Sequence, residues 1–239
     1  MNRAIRLLYN RSTPRWRNSY FLIKTFVVLI AVLLILFETA GAQTRKISKG
    51  EYDRVLDVAV RETNNAFPFV FTVKTELLKD GKVTASATEV AEREGEFRER
   101  ITRTKVVDGK TSKVFQLRID LQNNFCSDDG ATWRRSQYEC SGPEFLYEPG
   151  EPESVEYTVA DAGIDGQPVK IYREYSVYSP VAPGKKKDFR ESIAMIDSRG
   201  FFISVVDTDG TLDPNNPSLR RTQIWDFKTK FKPVTAPVN

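Results

Sequence analysis

Residues 67–80 read FPFVFTVKTELLKD, and how this stretch alternates decides the fold. Phe67, Phe69, Phe71 and Val73 fall on one side of an extended chain, while Thr72, Lys74 and Glu76 fall on the other. A period of two is that of a β-strand with one buried face. The same rhythm returns at 115–121, where Phe115, Leu117, Ile119 and Leu121 alternate with Gln116, Arg118 and Asp120. Less regular strands are expected at 83–90, 97–107, 131–137, 155–160, 169–178, 189–196, 201–206 and 222–231. Between them stand the pairs Asp80-Gly81, Asp108-Gly109, Asp129-Gly130, Asp165-Gly166 and Asp209-Gly210. Asp-Gly tolerates the positive φ that tight hairpins demand. Strand after strand through short turns predicts an antiparallel meander, so the chain is read as mainly β.

One helix precedes the strands. Ser48-Lys49-Gly50-Glu51 has the S-x-x-E order of a capping box,. Behind it Tyr52, Val55, Leu56, Ala59 and Val60 recur at spacings of three and four, which predicts an amphipathic helix ending near Asn64-Asn65,.

The first 42 residues have a different character. Arg3, Arg6, Arg11, Arg15, Arg17 and Lys24 lead into the apolar run FVVLIAVLLILF at 26–37 and then Ala40-Gly41-Ala42. Basic, apolar, then small-x-small is the layout of a secretory signal, with cleavage expected between Ala42 and Gln43. The run is shorter than the ~20 apolar residues a spanning helix needs. The expected location is therefore the periplasm, with anchoring to the inner membrane by an uncleaved leader as the alternative. The expected organisation is a signal peptide at 1–42 and one domain at 43–239.

The leader holds six of the 36 Lys/Arg and one of the 32 Asp/Glu, so residues 43–239 carry 30 basic and 31 acidic side chains. A near-neutral domain offers no electrostatic footprint for nucleic acid. Cys126 and Cys140 are the only cysteines. In an oxidising compartment a disulfide between them is expected, two buried thiols being the alternative.

The chain contains no histidine. That removes the usual general base and the commonest zinc ligand, and no carboxylate pair is singled out by spacing, so the expectation is a non-enzyme without metal or cofactor. The Asp-rich segment 207–213 lacks the glycine and glutamate positions of a calcium loop and is read as a hairpin loop. The Pro/Gly/Glu-rich segment 142–154 and the segment 179–187 are read as irregular loops, and the tail 232–239 as loose. Lys185-Lys186-Lys187, Arg134-Arg135 and Arg220-Arg221 are read as solvated basic clusters.

The aromatic stripe Phe67, Phe69 and Phe71, with Trp133, Trp225, Phe227 and Phe231 on strands able to line the same side, is either plain core or the wall of a pocket that one helix does not fill. The order of pieces resembles the LolA/LolB-like superfamily of bacterial periplasmic lipoprotein carriers. The resemblance rests on the helix, the Phe-rich first strand, Gly95-Glu96-Phe97-Arg98, and Asp129-Gly130-Ala131-Thr132-Trp133. It continues in 165–172 (DGQPVKIY), Met195-Ile196-Asp197, Phe201-Phe202-Ile203 and Trp225-Asp226-Phe227-Lys228. It implies an incomplete β-barrel, a strongly curved antiparallel sheet whose apolar inside takes up acyl chains. One helix is seen where the carriers use more, and no polar gating residue is carried over. The expected lining is Phe67, Phe69, Phe71, Phe115, Leu117, Ile119, Trp133, Trp225 and Phe227, with Phe69, Phe71, Phe115, Leu117 and Trp225 facing one another. The expected partner is a lipid or acylated polypeptide, held by a monomer. The alternative is a closed module that binds another envelope protein through the loops 142–154 and 179–187.

Overall fold

The computed structural model describes residues 44–80, 82–138, 140, 151–179, 187–211 and 218–237. All belong to one compact unit, Gln43–Asn239. The expected leader with its cleavage residues Ala40, Ala42 and Gln43, and most of both expected loops, lie outside the described residues.

Helix α1 spans Lys49–Asn64. The Ser48 hydroxyl accepts from the Glu51 N–H at 3.1 Å, satisfying one of the free donors of the first turn,. Glu51 does not complete the box; its carboxylate takes Arg45 instead, at 2.7 Å. The buried stripe is Tyr52, Ala59 and Thr63, with Val55 and Leu56 packed beside it. Val60, expected in that stripe, is 47% exposed, because the stripe continues to Thr63 one position short of a full turn later,. The Thr63 hydroxyl earns its burial by accepting from the Phe202 N–H at 2.9 Å,.

Among the described residues twelve strands form one antiparallel sheet: β1 Arg45–Lys46, β2 Phe69–Lys79, β3 Lys82–Gly95, β4 Arg98–Val107, β5 Lys110–Arg118, β6 Asn124–Ser127, β7 Arg134–Ser136, β8 Pro152–Ile164, β9 Gln167–Tyr178, β10 Asp188–Asp197, β11 Phe202–Thr211 and β12 Ser218–Asp226. Their order is β1-β8-β9-β10-β11-β12-β2-β3-β4-β5-β6-β7, so two meanders meet where the last strand pairs with the first long one. β1 and β7 end the sheet unpaired with each other, which makes this an incomplete barrel with α1, the single helix among the described residues, on its inner face.

The turns explain the meanders. Asp80, Asp108 and Asp165 adopt φ of 52°, 49° and 50°, and Gly109 and Gly166 follow at 73° and 75°. These are the positive values of two-residue hairpins. Asp209-Gly210 is no turn: β11 runs straight through it, paired with β10 from Asp188↔Thr211 onward. There Asp209 is buried and holds Arg190 at 2.5 Å. Segment 131–137 yields only the three residues of β7.

The tail is not loose up to Val234, which is 1% exposed. Its N–H donates to Glu94 Oε2 at 3.3 Å, and the Pro233 carbonyl accepts from Arg100 Nη2 at 3.3 Å. Lys187 is not merely solvated either: Glu153 at the start of β8 accepts from it and from the Ser179 hydroxyl.

Across the β12–β2 seam, Arg220 stands opposite Glu76 and donates to it at 2.7 Å, while Lys74 reaches the other carboxylate oxygen at 2.5 Å. Burial alone would raise the Glu76 pKa, but the bonds from Lys74 and Arg220 outweigh it and hold it below the ordinary 4.5,. A depressed carboxylate stabilises the fold above its unfolded pKa and loses that contribution as pH falls through the folded value. Glu76→Gln is expected to lower the urea midpoint at neutral pH and to flatten the loss of stability between neutrality and about pH 3, relative to the parent protein. An unchanged acid limb would show that Glu76 is not the linked group.

Candidate functional site

Side chains of directly opposed residues share a face in an antiparallel sheet, so the registers assign every position. On the inner face, α1 covers β8 to β11. Tyr52 and Ala59 pack on Val159, Tyr172, Ala194, Ile196 and Phe202, with Tyr157, Val205 and Trp225 at the margin. Trp225 stands opposite Phe71, their rings 4.8 Å apart, and Trp225 also stacks on Phe202 at 5.1 Å. Phe71, Val73, Leu56, Val205 and Trp225 are half-buried, so this wall keeps solvent-facing apolar surface beside the core.

A polar pin sits at the rim of this wall. Ser192 is hydrogen-bonded to both Tyr52 of the helix and Asp207 of β11. Burial raises Tyr52 above its usual value. Burial likewise raises Asp207, and neighbouring Asp209 adds to it, against the opposing effects of Ser192, Arg221 and Arg190.

The other half of the inner face is ionic. Three rows cross it: Glu89–Arg103–Val114, Ala91–Ile101–Gln116–Cys126 and Arg93–Glu99–Arg118–Asn124. Arg103 donates to Glu89 and to Gln116 Oε1, both at 2.7 Å, and to the Cys140 carbonyl at 2.8 Å. Glu99 lies 3.0 Å from Arg93 and 3.4 Å from Arg118. Cys126 and Cys140 form the expected disulfide, which brings Cys140 over this patch. The Arg93 guanidinium also lies 5.5 Å from the Phe71 ring, where the apolar and ionic halves meet.

The expected lining residues divide accordingly. Phe69, Phe71 and Trp225 share the inner face. Phe67 stacks on Phe69 at 5.3 Å, and Phe227, just past β12, turns onto Phe69 at 5.5 Å. Phe69 is 0% exposed, so it is core; Phe71 and Trp225 keep some surface.

Phe115 and Leu117 stand on the opposite face, contrary to expectation. The pairings Thr102↔Phe115 and Arg100↔Leu117 put them outside, while Gln116 and Arg118 point in. The physical reason is that Gln116, though 1% exposed, is accommodated inside by Arg103 and the Cys140 backbone. Phe115 instead packs beneath the β6–β7 turn, its ring 3.5 Å from where a Cβ on Gly130 would stand. Ile119 lies past the end of β5, donating its N–H to the Asn123 carbonyl. Trp133 precedes β7 at the sheet's far end, six strands from β12, and does not join the other aromatics. The ionic patch was missed because a period-two reading assumes the apolar side of β5 faces in. Among the described residues no group of acidic, histidine or cysteine side chains is arranged to hold a metal ion.

No protein-family model matches the chain, and no curated protein matches it significantly. Among solved structures it is similar to LprF from Mycobacterium bovis, at 12% identity and a TM-score of 0.41, over 80% of this chain and 99% of that one.

Proposed function

We propose that the protein is an exported carrier or binding protein that holds an acyl chain, free or attached to a polypeptide, against the inner face beside α1. The observation that supports this reading is the half-buried apolar wall of Leu56, Val73, Val205, Phe71 and Trp225 next to the packed core. Each methylene laid on such a wall contributes about 0.8 kcal/mol, so a long chain needs little else for affinity. Export fits the leader pattern, and the Cys126–Cys140 disulfide fits an oxidising compartment,. With no histidine in the chain, a binding role is preferred to an enzymatic one.

Outside the leader the chain has two tryptophans, Trp133 and Trp225. In a Trp133→Phe variant, dibromostearic acid is expected to quench the fluorescence of Trp225. In a Trp225→Phe variant the remote Trp133 is expected to stay bright. Absence of quenching in the first variant removes the acyl reading.

A second reading, a closed module that recognises another envelope protein, is favoured by one observation. The aromatics pack on one another, from Phe71 through Trp225 to Phe202 and from Phe69 through Phe227 to Phe201. In that case native mass spectrometry finds the purified protein free of lipid.

A further inference from the structure

Two polar ties hold α1 on the sheet, one near each end. Toward the C-terminus the Thr63 hydroxyl accepts from the Phe202 N–H at 2.9 Å, and both residues are buried. That tie contains no titratable group. Toward the N-terminus buried Tyr52 is hydrogen-bonded to Ser192, which is hydrogen-bonded in turn to Asp207. The two ties are about 16 Å apart along the helix axis. Between them Ala59 is buried, while Val55 and Leu56 are only half-buried and Val58 and Val60 face solvent. The helix is therefore pinned at its ends more firmly than along its length.

The Tyr52 tie lands on charge. The registers place Tyr157, Glu174, Ser192, Asp207 and Arg221 in one row of the inner face, one from each of β8 to β12. Two carboxylates thus flank Ser192 beneath the first turn of α1. The titratable and charged groups that face Asp207 are Tyr52 from α1, Tyr157 from β8, Glu174 from β9, Arg190 from β10, Asp209 from its own strand and Arg221 from β12. Lys49 and Asp53, also on the first turn, are ion-paired with each other at 2.6 Å. Arg190 is held by Asp209 at 2.5 Å, and Gln223 Nε2 lies 3.4 Å from Asp207 Oδ2.

A carboxylate beneath a seated helix is short of water, and burial is the first cause of the raised Asp207 pKa,. Lifting the Tyr52 end returns the group to solvent and to its ordinary value. A group whose pKa is higher in the seated state binds its proton more tightly there. Seating is therefore favoured at low pH and loses that contribution as pH rises through the raised value. The Ser192 hydroxyl can donate to a carboxylate or accept from a carboxylic acid, so the bridge exists in both states and the buried charge is what differs. Leu56, one turn on from Tyr52 on the same face, forms part of the half-buried wall with Val205 and Trp225,.

We infer that the Tyr52 end of α1 is a proton-controlled latch, which stays down when Asp207 is protonated and lifts about the Thr63–Phe202 tie when Asp207 is ionised, opening the wall at Leu56 and Trp225. The latch stands on the Tyr52–Ser192–Asp207 geometry; its consequence at the wall rests on the acyl-binding reading.

The test reads backbone hydrogen exchange of residues 52–60 between about pH 4 and pH 8, in the protein expressed from its complete chain. Rates are corrected for intrinsic exchange and referred to the β2–β3 ladder. Protection in the parent protein is expected to fall about tenfold as pH rises, the scale of a dehydrated group released to water. Asp207→Asn is expected to keep the acid level of protection throughout. Asp207→Ser, which also removes the charge, repeats the reading independently of how asparagine packs. Glu174→Gln is expected to retain the parent's fall, and Tyr52→Phe to lower protection at both ends of the range. Thermal unfolding of each variant verifies that it is folded.

The wall is read in a Trp133→Phe background with dibromostearyl alcohol, which has no titratable group, by quenching of Trp225. Binding is expected to be about tenfold weaker at the acid end in the parent, and weak at both ends in Asp207→Asn. Protection that does not change with pH, or a fall that survives in both Asp207 variants, overturns the latch. A fall abolished by Glu174→Gln alone also overturns it, because the other carboxylate is then the linked group. With the exchange result in place, quenching that is equal at both ends overturns control of the wall. Quenching without any change in protection leaves the acyl reading standing and removes the latch, whereas the expected protection pattern without quenching at any pH does the reverse.

Discussion

Replacing Cys126 and Cys140 together by alanine is expected to lower the unfolding free energy by about 3 kcal/mol, the entropic worth of closing a loop of roughly this length. The two cysteines are 14 residues apart in sequence. The bond joins β6 to Cys140, which itself lies outside the described strands. Cys140 is 5% exposed, and its backbone carbonyl and N–H serve Arg103 and Gln116. Freeing it leaves the half-buried Arg103 guanidinium and the buried Gln116 amide each short of one partner, which adds to the entropic loss,. Denaturant unfolding of the parent protein with and without reductant, beside the double variant, reads this directly. Reductant is expected to move the parent's midpoint to that of the variant and to leave the variant unmoved. A reduced protein with the oxidised midpoint would show that the cross-link carries no stability.

The same segment shows where sequence reading stops. The disulfide was legible, since two cysteines in a chain whose leader reads as a secretory signal have few other expected fates. What it organises was not, because the placement of buried Gln116 and half-buried Arg118 on the inner face inverts the rule by which β5 was oriented. Period two assigns residues to two faces but does not say which face is inside. For β2 the apolar side was inside; for β5 it was outside.

Turn chemistry was legible at Asp80, Asp108 and Asp165, where positive φ is present. It misled at Asp209-Gly210. There a Cβ on Gly210 would stand 3.1 Å from the Phe189 ring and 3.2 Å from Ser218, so that glycine serves close packing rather than a turn,. The pairing of β12 with β2, such as Arg220 with Glu76, joins residues 144 apart and has no local signature at all. The helix start, by contrast, is local, and Ser48 marked it correctly.

That non-local seam is where the largest single-residue effect is expected. Phe69→Ala should cost about 3–5 kcal/mol, the range for deleting a fully buried aromatic ring. Phe69 opens β2 on the inner face, is 0% exposed, and lies between Phe67 at 5.3 Å and Phe227 at 5.5 Å. Phe227 in turn meets Phe201 at 5.4 Å, and Arg199 sits over both of those rings. Removing Phe69 therefore leaves Phe227 with Phe201 as its one remaining ring contact among those described, just where the chain leaves β12, at the junction of the two meanders. Phe69→Leu retains aliphatic bulk and should lose less, chiefly the ring–ring preference of about 0.5–1.5 kcal/mol per pair. Urea unfolding followed through tryptophan fluorescence and near-ultraviolet dichroism measures both. Coincident transitions in the parent protein that separate in Phe69→Ala would mean that the meanders are coupled through this ring. Because Phe69 has no exposed surface while Phe71 and Trp225 do, Phe69→Leu is expected to leave quenching of Trp225 by dibromostearic acid unchanged. A Phe69→Ala protein within about 1 kcal/mol of the parent would show that the backbone ladder between β12 and β2 holds the seam without the aromatic cluster.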